Sequence, residues 1–316
     1  MRKTWAGICF LMLYFLSTTG QNVNTPAFRA VSPPEGFTYS GIASIAEDPH
    51  GMIWFGAQHG LYTYDTESFR KYLHIPDDPN SPSGNNIRNL FCDSSGKMWI
   101  STSSGLTYYD FVLERFVRCQ FSDDDGNMIN RNVLQVFEDK TKQIWLIDQR
   151  GLAKVDTINK TFSYSNFDPA PPGLSYALIA ADATLWLGAN NGNIYQSPYP
   201  YDSLIFFGRF RNALVQKILP VRNEVWIGYD WYGADKVGYD GKHLAHYANP
   251  SETGHIIGNS RVRDIYEDKG GRIWLATYKG ISIIHGDQIT NYDTENYPGI
   301  NHSSVFEIYE DAHGGI

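Results

Sequence analysis

The chain has 316 residues, of which 42% are apolar, 19% charged and 15% aromatic, with 29 glycines and a formal net charge of −8. That acidic balance disfavours a nucleic-acid partner, since phosphate binding draws on clustered Lys and Arg. An aromatic- and Gly-rich chain without sustained helical periodicity leans towards β-structure.

The first element is "MRKTWAGICFLMLYFLSTTG": Arg2 and Lys3, an uncharged apolar run from Ala6 to Leu16, then small residues up to Gly20. Such a run is too short to span a bilayer and suits an export signal. Residues 1–20 read as a signal peptide cut near Gly20/Gln21; a buried first strand or a short anchor is the alternative. No later stretch is long and apolar enough to cross a membrane. Residues 21–41 form an N-terminal segment whose one apolar run, Phe28 to Val31, is available as a closing outer strand.

From residue 42 the chain repeats itself. "EDPHGMIWFGAQHGL" begins at Glu47, "CDSSGKMWISTSSGL" at Cys92, "EDKTKQIWLIDQRGL" at Glu138 and "EDKGGRIWLATYKGI" at Glu267, with looser copies from Ala180 and Pro220. The tryptophans of this register are Trp54, Trp99, Trp145, Trp186, Trp226 and Trp274, separated by 45, 46, 41, 40 and 48 residues. A period in the forties marks a repeat architecture. Each unit reads as four short strands bounded by Gly, Pro, Asn and Asp, so helical repeats are excluded. Four-stranded units of this size are β-propeller blades, whose radial arrangement protects sheet edges. The predicted fold is an all-β propeller over 42–316, with six complete blades and a seventh cut in its second strand, hence an open or poorly closed ring. One Trp per blade on the second strand would fill the wedge between neighbouring sheets. The Asp-x-x-Gly turns (Asp48/Gly51, Asp93/Gly96, Asp268/Gly271) read as hairpin chemistry. Cys92 and Cys119 fall on the first and fourth strands of one blade, roughly 14 Å apart at ~4.8 Å per strand, too far for a disulfide.

The quoted units resemble the two-component regulator propeller repeat. In that family such propellers are the periplasmic sensor half of hybrid two-component histidine kinases of Bacteroidetes, in which carbohydrate fragments are commonly sensed. The resemblance implies a parent receptor anchored in the inner membrane, continuing through a second propeller, a β-sandwich, a membrane helix and kinase modules, with receptor copies paired as a homodimer. No phosphoacceptor helix or ATP lid is legible here, so the chain itself reads as a non-enzymatic fragment.

In an antiparallel four-stranded blade, turn 2–3 and the interblade connectors share one face. On that face the sequence differs in every unit: Gln58-His59, Ser103-Ser104, Gln149-Arg150, Asn190-Asn191, Asp230-Trp231-Tyr232 and Tyr278-Lys279. Amides, an Arg and aromatic plates suit an oligosaccharide, whose hydroxyls need planar hydrogen-bonding groups and whose ring faces stack on aromatics. Trp231 is the sharpest candidate because it lies outside the Trp register, in a lengthened turn; its bland alternative is local packing, and that of the polar pairs is a solvated turn tip. No cofactor or metal is implied: "DDDGN" at Asp123 is half a calcium loop without the distal Glu, and the histidines lack ligand spacing, His243 and His246 included. The alternatives to sensing are a propeller enzyme of streptogramin-lyase or glycosidase type, for which no catalytic set is visible, and a non-binding scaffold or remnant.

Overall fold

The computed structural model describes residues 10–13, 26, 28–31, 41–123, 126, 132–168, 170–171, 173–297, 299–300 and 302–316. Six four-stranded antiparallel sheets follow one another along the chain, each hydrogen-bonded in sequence order, and no helix occurs among the described residues. Blade one consists of Ile42–Glu47, Ile53–Ala57, Gly60–Tyr64 and Phe69–Tyr72. Blade two is Ile87–Cys92, Met98–Thr102, Gly105–Asp110 and Arg115–Arg118, and blade three is Val133–Glu138, Ile144–Asp148, Gly151–Asp156 and Thr161–Tyr164. Blade four is Leu174–Ile179, Leu185–Ala189, Asn193–Ser197 and Ile205–Arg209, and blade five is Val215–Val221, Glu224–Tyr229, Ala234–Gly238 and His243–Tyr247. Blade six is Val262–Glu267, Ile273–Thr277, Gly280–His285 and Gln288–Tyr292. The first strands of successive blades touch one another, so they are the innermost.

The repeated sequence builds two joints. The first is within the blade. Each register Trp is buried, at 6% exposure or less. In four blades its indole N–H donates to the Asp six residues upstream: Trp54 to Asp48, Trp99 to Asp93, Trp145 to Asp139 and Trp274 to Asp268, at 2.7–2.9 Å. The other carboxylate oxygen takes the turn's own N–H groups, as Asp48 Oδ1 does from His50 and Met52. Burial of Asp268 opposes its ionisation, but the N–H of Arg272, the Trp274 indole and the Arg272 guanidinium together hold its carboxyl below the usual range.

The second joint is between blades. Every inner strand has a register shift after its first residue, as between Ile42 and Ser44 or Ile87 and Asn89. A bulge re-aims the following side chain. Here the third residue of one inner strand accepts the fourth backbone N–H of the next: Ser44 from Leu90, Asn89 from Val136, Gln135 from Ala177. The Gly after the Trp gives the next blade room. A Cβ on Gly56 would lie 2.5 Å from Ile87 Cγ2, and one on Gly188 2.5 Å from Val215 Cγ1.

In blade five the third residue is Lys217, which cannot accept. It instead pairs with Asp264 of blade six at 2.7 Å, and the Ile265 N–H is taken by the neighbouring Asp264 Oδ1. Asp264 Oδ2 then accepts from Ile308 N–H at 2.9 Å.

That last bond changes the expected outline of the ring. In place of an open gap, Ser304–Ile316 lies between blades six and one. Val305 N–H donates to Thr277 O, Glu310 takes Tyr266 Oη at 2.6 Å, and Ala312 N–H donates to Glu47 Oε2 at 2.9 Å. Asp311 closes a turn on the N–H groups of His313 and Gly315, as the other repeat turns do. The segment acts as a seventh inner strand, although it is not paired into a sheet. Phe28–Val31 pairs antiparallel with Phe10–Leu13. Phe28 packs with Trp274, Ile281 and Ile308 at blade six, while Val31 packs on Ile42 and Tyr62 of blade one. The rest of residues 1–20, which carry the signal reading, lies outside the described residues. Cys92 and Cys119 are both free, and burial pushes both thiols up, Cys92 to about 11.

Candidate functional site

The turn 2–3 tips and the interblade connectors are tied together on one face. Ser103 N–H donates to Asn86 O, Asn190 N–H to Gly173 O, Asp230 N–H to Leu214 O, and Gly233 N–H to Ser260 O. The structure distributes the candidate residues unevenly over that face.

Several are occupied within their own blades. Arg150 Nη1 pairs with Asp123 at 2.5 Å, and its guanidinium lies 4.3 Å from the Tyr164 ring centroid, while the Tyr164 hydroxyl donates to Asp148. Gln149 next to it is exposed. Asn191 Oδ1 accepts from Asn193 N–H at 3.1 Å, and the Asn190 amide stands over Gly173, where a Cβ would lie 2.4 Å from Nδ2. Lys279 Nζ reaches Glu295 at 3.2 Å and Asp293 at 3.7 Å. Gln58 and His59 are exposed at the tip of blade one.

Blades five and six, by contrast, bring three candidates together through a residue that the sequence did not single out. Arg261, on the connector entering blade six, has its guanidinium 4.2 Å from the Trp231 ring centroid and 3.9 Å from that of Tyr278. Its Nε donates to Asp230 Oδ1 at 2.7 Å. An aromatic–guanidinium–aromatic stack results, its orientation fixed by a carboxylate. Trp231 is 65% exposed and Tyr232 51% exposed, so the stack offers a bare indole outward. Trp231 also has φ +74°, a left-handed conformation uncommon for a bulky side chain. Asp230 and Gly233 are pinned by backbone bonds on either side, which holds that conformation.

The stack continues towards the ring axis. Arg263 Nη2 donates to the Tyr278 hydroxyl at 2.5 Å, and its guanidinium sits 5.1 Å from the Tyr278 centroid and 5.9 Å from that of Phe306. Arg261 closes the variable connector "NPSETGHIIGNSR" on the same face but was not singled out within it, and Arg263 was missed because it belongs to a strand that reads as ordinary repeat sequence. Their i, i+2 spacing beside the variable turn was the available signal.

One other cluster has a structural role. His243 and His246 both reach the buried Asp235 Oδ1, at 2.9 and 2.8 Å, and Arg211 clamps the same carboxylate at 3.0 and 3.1 Å. Burial opposes ionisation of Asp235, but these donors hold its carboxyl low. Among the described residues no group of three or more His, Cys, Asp or Glu is placed to hold a metal ion. A cleft of about 880 Å³ opens on the opposite, repeat-turn face between blades four and five, lined by Asp182, Arg222, Tyr239 and Lys242.

With this geometry in place, comparison with known proteins is informative. Residues 81–104 and 256–279 match the two-component regulator propeller family. Over 68 residues the chain is 32% identical to histidine kinase P4 of Formosa agariphila, a match covering 22% of this chain and 5% of that protein. In fold it is similar to the extracellular domain of BT3049 from B. thetaiotaomicron, described as a hybrid two component system, with a TM-score of 0.73 and 22% identity over 88% of this chain and 38% of that one. The corresponding domain of BT4673 gives 0.67 and 18% identity over 82% and 37%. Virginiamycin B lyase from Staphylococcus aureus shares the fold at 0.61 and 14% identity over 80% and 84%. The chain thus spans well under half the length of these two-component relatives. Two of its segments match two-component regulator propeller repeats, on a propeller frame similar to that of the extracellular domains of hybrid two-component systems.

Proposed function

We propose that this chain is the exported, periplasmic ligand-sensing part of a hybrid two-component receptor, and that its ligand is an oligosaccharide held on the connector face of blades five and six. The observation that carries this reading is the Trp231–Arg261–Tyr278 stack. A sugar ring presents an apolar face to an aromatic plate and a rim of hydroxyls to adjacent polar groups. Trp231 supplies the plate, and Asp230, Tyr232 and the outer nitrogens of Arg261 supply the rim. Rigidity favours binding, since a platform already fixed by Asp230 loses little freedom when the ligand lands. Occupancy would then bias the relative placement of this propeller and the modules that follow it in the parent receptor, passing the signal on as a population shift.

The reading predicts binding without turnover. The full chain, titrated with plant, host and microbial oligosaccharides while indole fluorescence is followed, should respond to one glycan class and return that glycan unchanged by mass spectrometry. Cleaved product would favour a propeller enzyme instead.

A further inference from the structure

The stack described above contains one cation too many. Arg261 is neutralised by Asp230 at 2.7 Å. Lys217 is neutralised by Asp264 at 2.7 Å, and Lys279 by Glu295 and Asp293. Arg263, between them, forms no ion pair among the described residues. Its one hydrogen bond is to the Tyr278 hydroxyl, and its Nε is buried with no acceptor. The acids around it are committed: Asp230 to Arg261, and Asp264 to Lys217 and to the Ile308 N–H. Glu307, on the neighbouring inner segment, is pushed towards its neutral form by burial and by Asp264. Arg263 is half-buried, so its guanidinium is only partly withdrawn from water; a partly desolvated cation without a counter-ion is costly, and a ligand anion on its outer nitrogens would relieve that cost.

We infer that Arg263 makes this a site for an anionic oligosaccharide, with a ring on Trp231 and a carboxylate or sulfate group on Arg263. This rests on the oligosaccharide reading above and narrows its ligand class. The two residues are linked through Tyr278, whose ring lies near the guanidinium of Arg261 and of Arg263 alike. Arg suits the task better than Lys because its planar fork matches the oxygens of either anion. The formal charge of −8 on the whole chain works against attraction at long range. At physiological salt that field is screened beyond about 8 Å, so the contact itself decides.

The test is a calorimetric titration of the full chain with two matched pairs: trigalacturonic acid against its fully methyl-esterified form, and a sulfated carrageenan tetrasaccharide against its desulfated form. One charged member should bind at least tenfold more tightly than its neutral partner, and which one does so separates carboxylate from sulfate. Arg263→Gln should weaken that member ~10- to 100-fold, the range for a hydrogen-bonded charge, and leave the neutral partner unchanged. Arg263→Lys should fall between. Equal affinities within both pairs, or a preference that survives Arg263→Gln, would overturn the inference. If only neutral glycans bind, this inference fails and the sensor reading stands; if no glycan binds, both fail. Should Arg263→Gln melt below the assay temperature, the charged-versus-neutral comparison on the unaltered chain decides.

Discussion

At the scale of single residues, the repeat is a device for giving a buried indole a hydrogen-bond acceptor. Trp Nε1–H is a donor only, and an unsatisfied buried donor costs about 1–3 kcal/mol. Blade four tests this, because Ala180 stands where blades one, two, three and six have Asp. Its backbone turn is unchanged, with Ala180 N–H donating to Thr184 O and Ala183 N–H to Ala180 O, both at 2.9 Å, yet Trp186 Nε1 is left without a partner. Ala183 also occupies the glycine position of that turn, at φ +66°. The double substitution Ala180→Asp with Ala183→Gly should therefore raise unfolding free energy by about 1–2 kcal/mol in urea denaturation. No gain would mean that the Asp–Trp bond contributes nothing net. The Asp and the Trp were each legible in the sequence, but their pairing was not. It appears as a constant six-residue separation, and a hairpin turn explains the Asp equally well until the indole is placed beside it.

At the scale of elements, the inner strands do most to organise the ring. Their bulges turn one polar side chain per blade towards the next, so each blade completes its neighbour's backbone hydrogen bonding. The relay runs from Ser44 through Asn89 and Gln135, then yields to Lys217, Asp264 and Glu307. Glu307 is the strained member, with Oε2 buried and unpartnered. Burial and Asp264 raise its carboxyl above the ordinary range, so the folded state binds a proton that the unfolded state releases at about pH 4.3. Its contribution is complete below that pH and is lost as pH rises through the raised value. Glu307→Gln should remove this loss. The variant should match the parent near pH 4 and be more stable than it at pH 8 in denaturant titrations. Identical pH profiles would remove Glu307 from the account. The four strands of each blade and their order followed from short apolar and aromatic runs bounded by turn residues, but the bulge did not. A one-residue shift between positions such as Ile42 and Ser44 leaves no mark in a short run of mixed residues.

At the scale of the whole molecule, the ring is bridged through a segment that the sequence placed in an incomplete blade. The Asp-x-x-Gly motif at Asp311 was readable; that Ala312 would reach Glu47, 265 residues away in the chain, was not. Long-range closure depends on the accumulated rotation of all the blades, which no local pattern encodes. The binding face shows the same division. Trp231 stood out as an irregularity in a regular repeat, Asp230 and Tyr278 belonged to the variable turns and Arg261 to a variable connector, whereas Arg263 was hidden inside the repeat strand. What brings these five residues into one surface is the ring itself, which sets the turn of blade five beside the entry strand of blade six. That surface makes the account's central claim, and calorimetry on Trp231→Ala tests it most directly. Trp231 is outside the core, so the variant should keep the parent's melting temperature. It should bind the responding glycan at least ~10-fold more weakly, since losing a stacking plate forfeits about 1–3 kcal/mol. Undiminished binding by a well-folded Trp231→Ala would show that the ligand lies elsewhere and would contradict the assignment of this face.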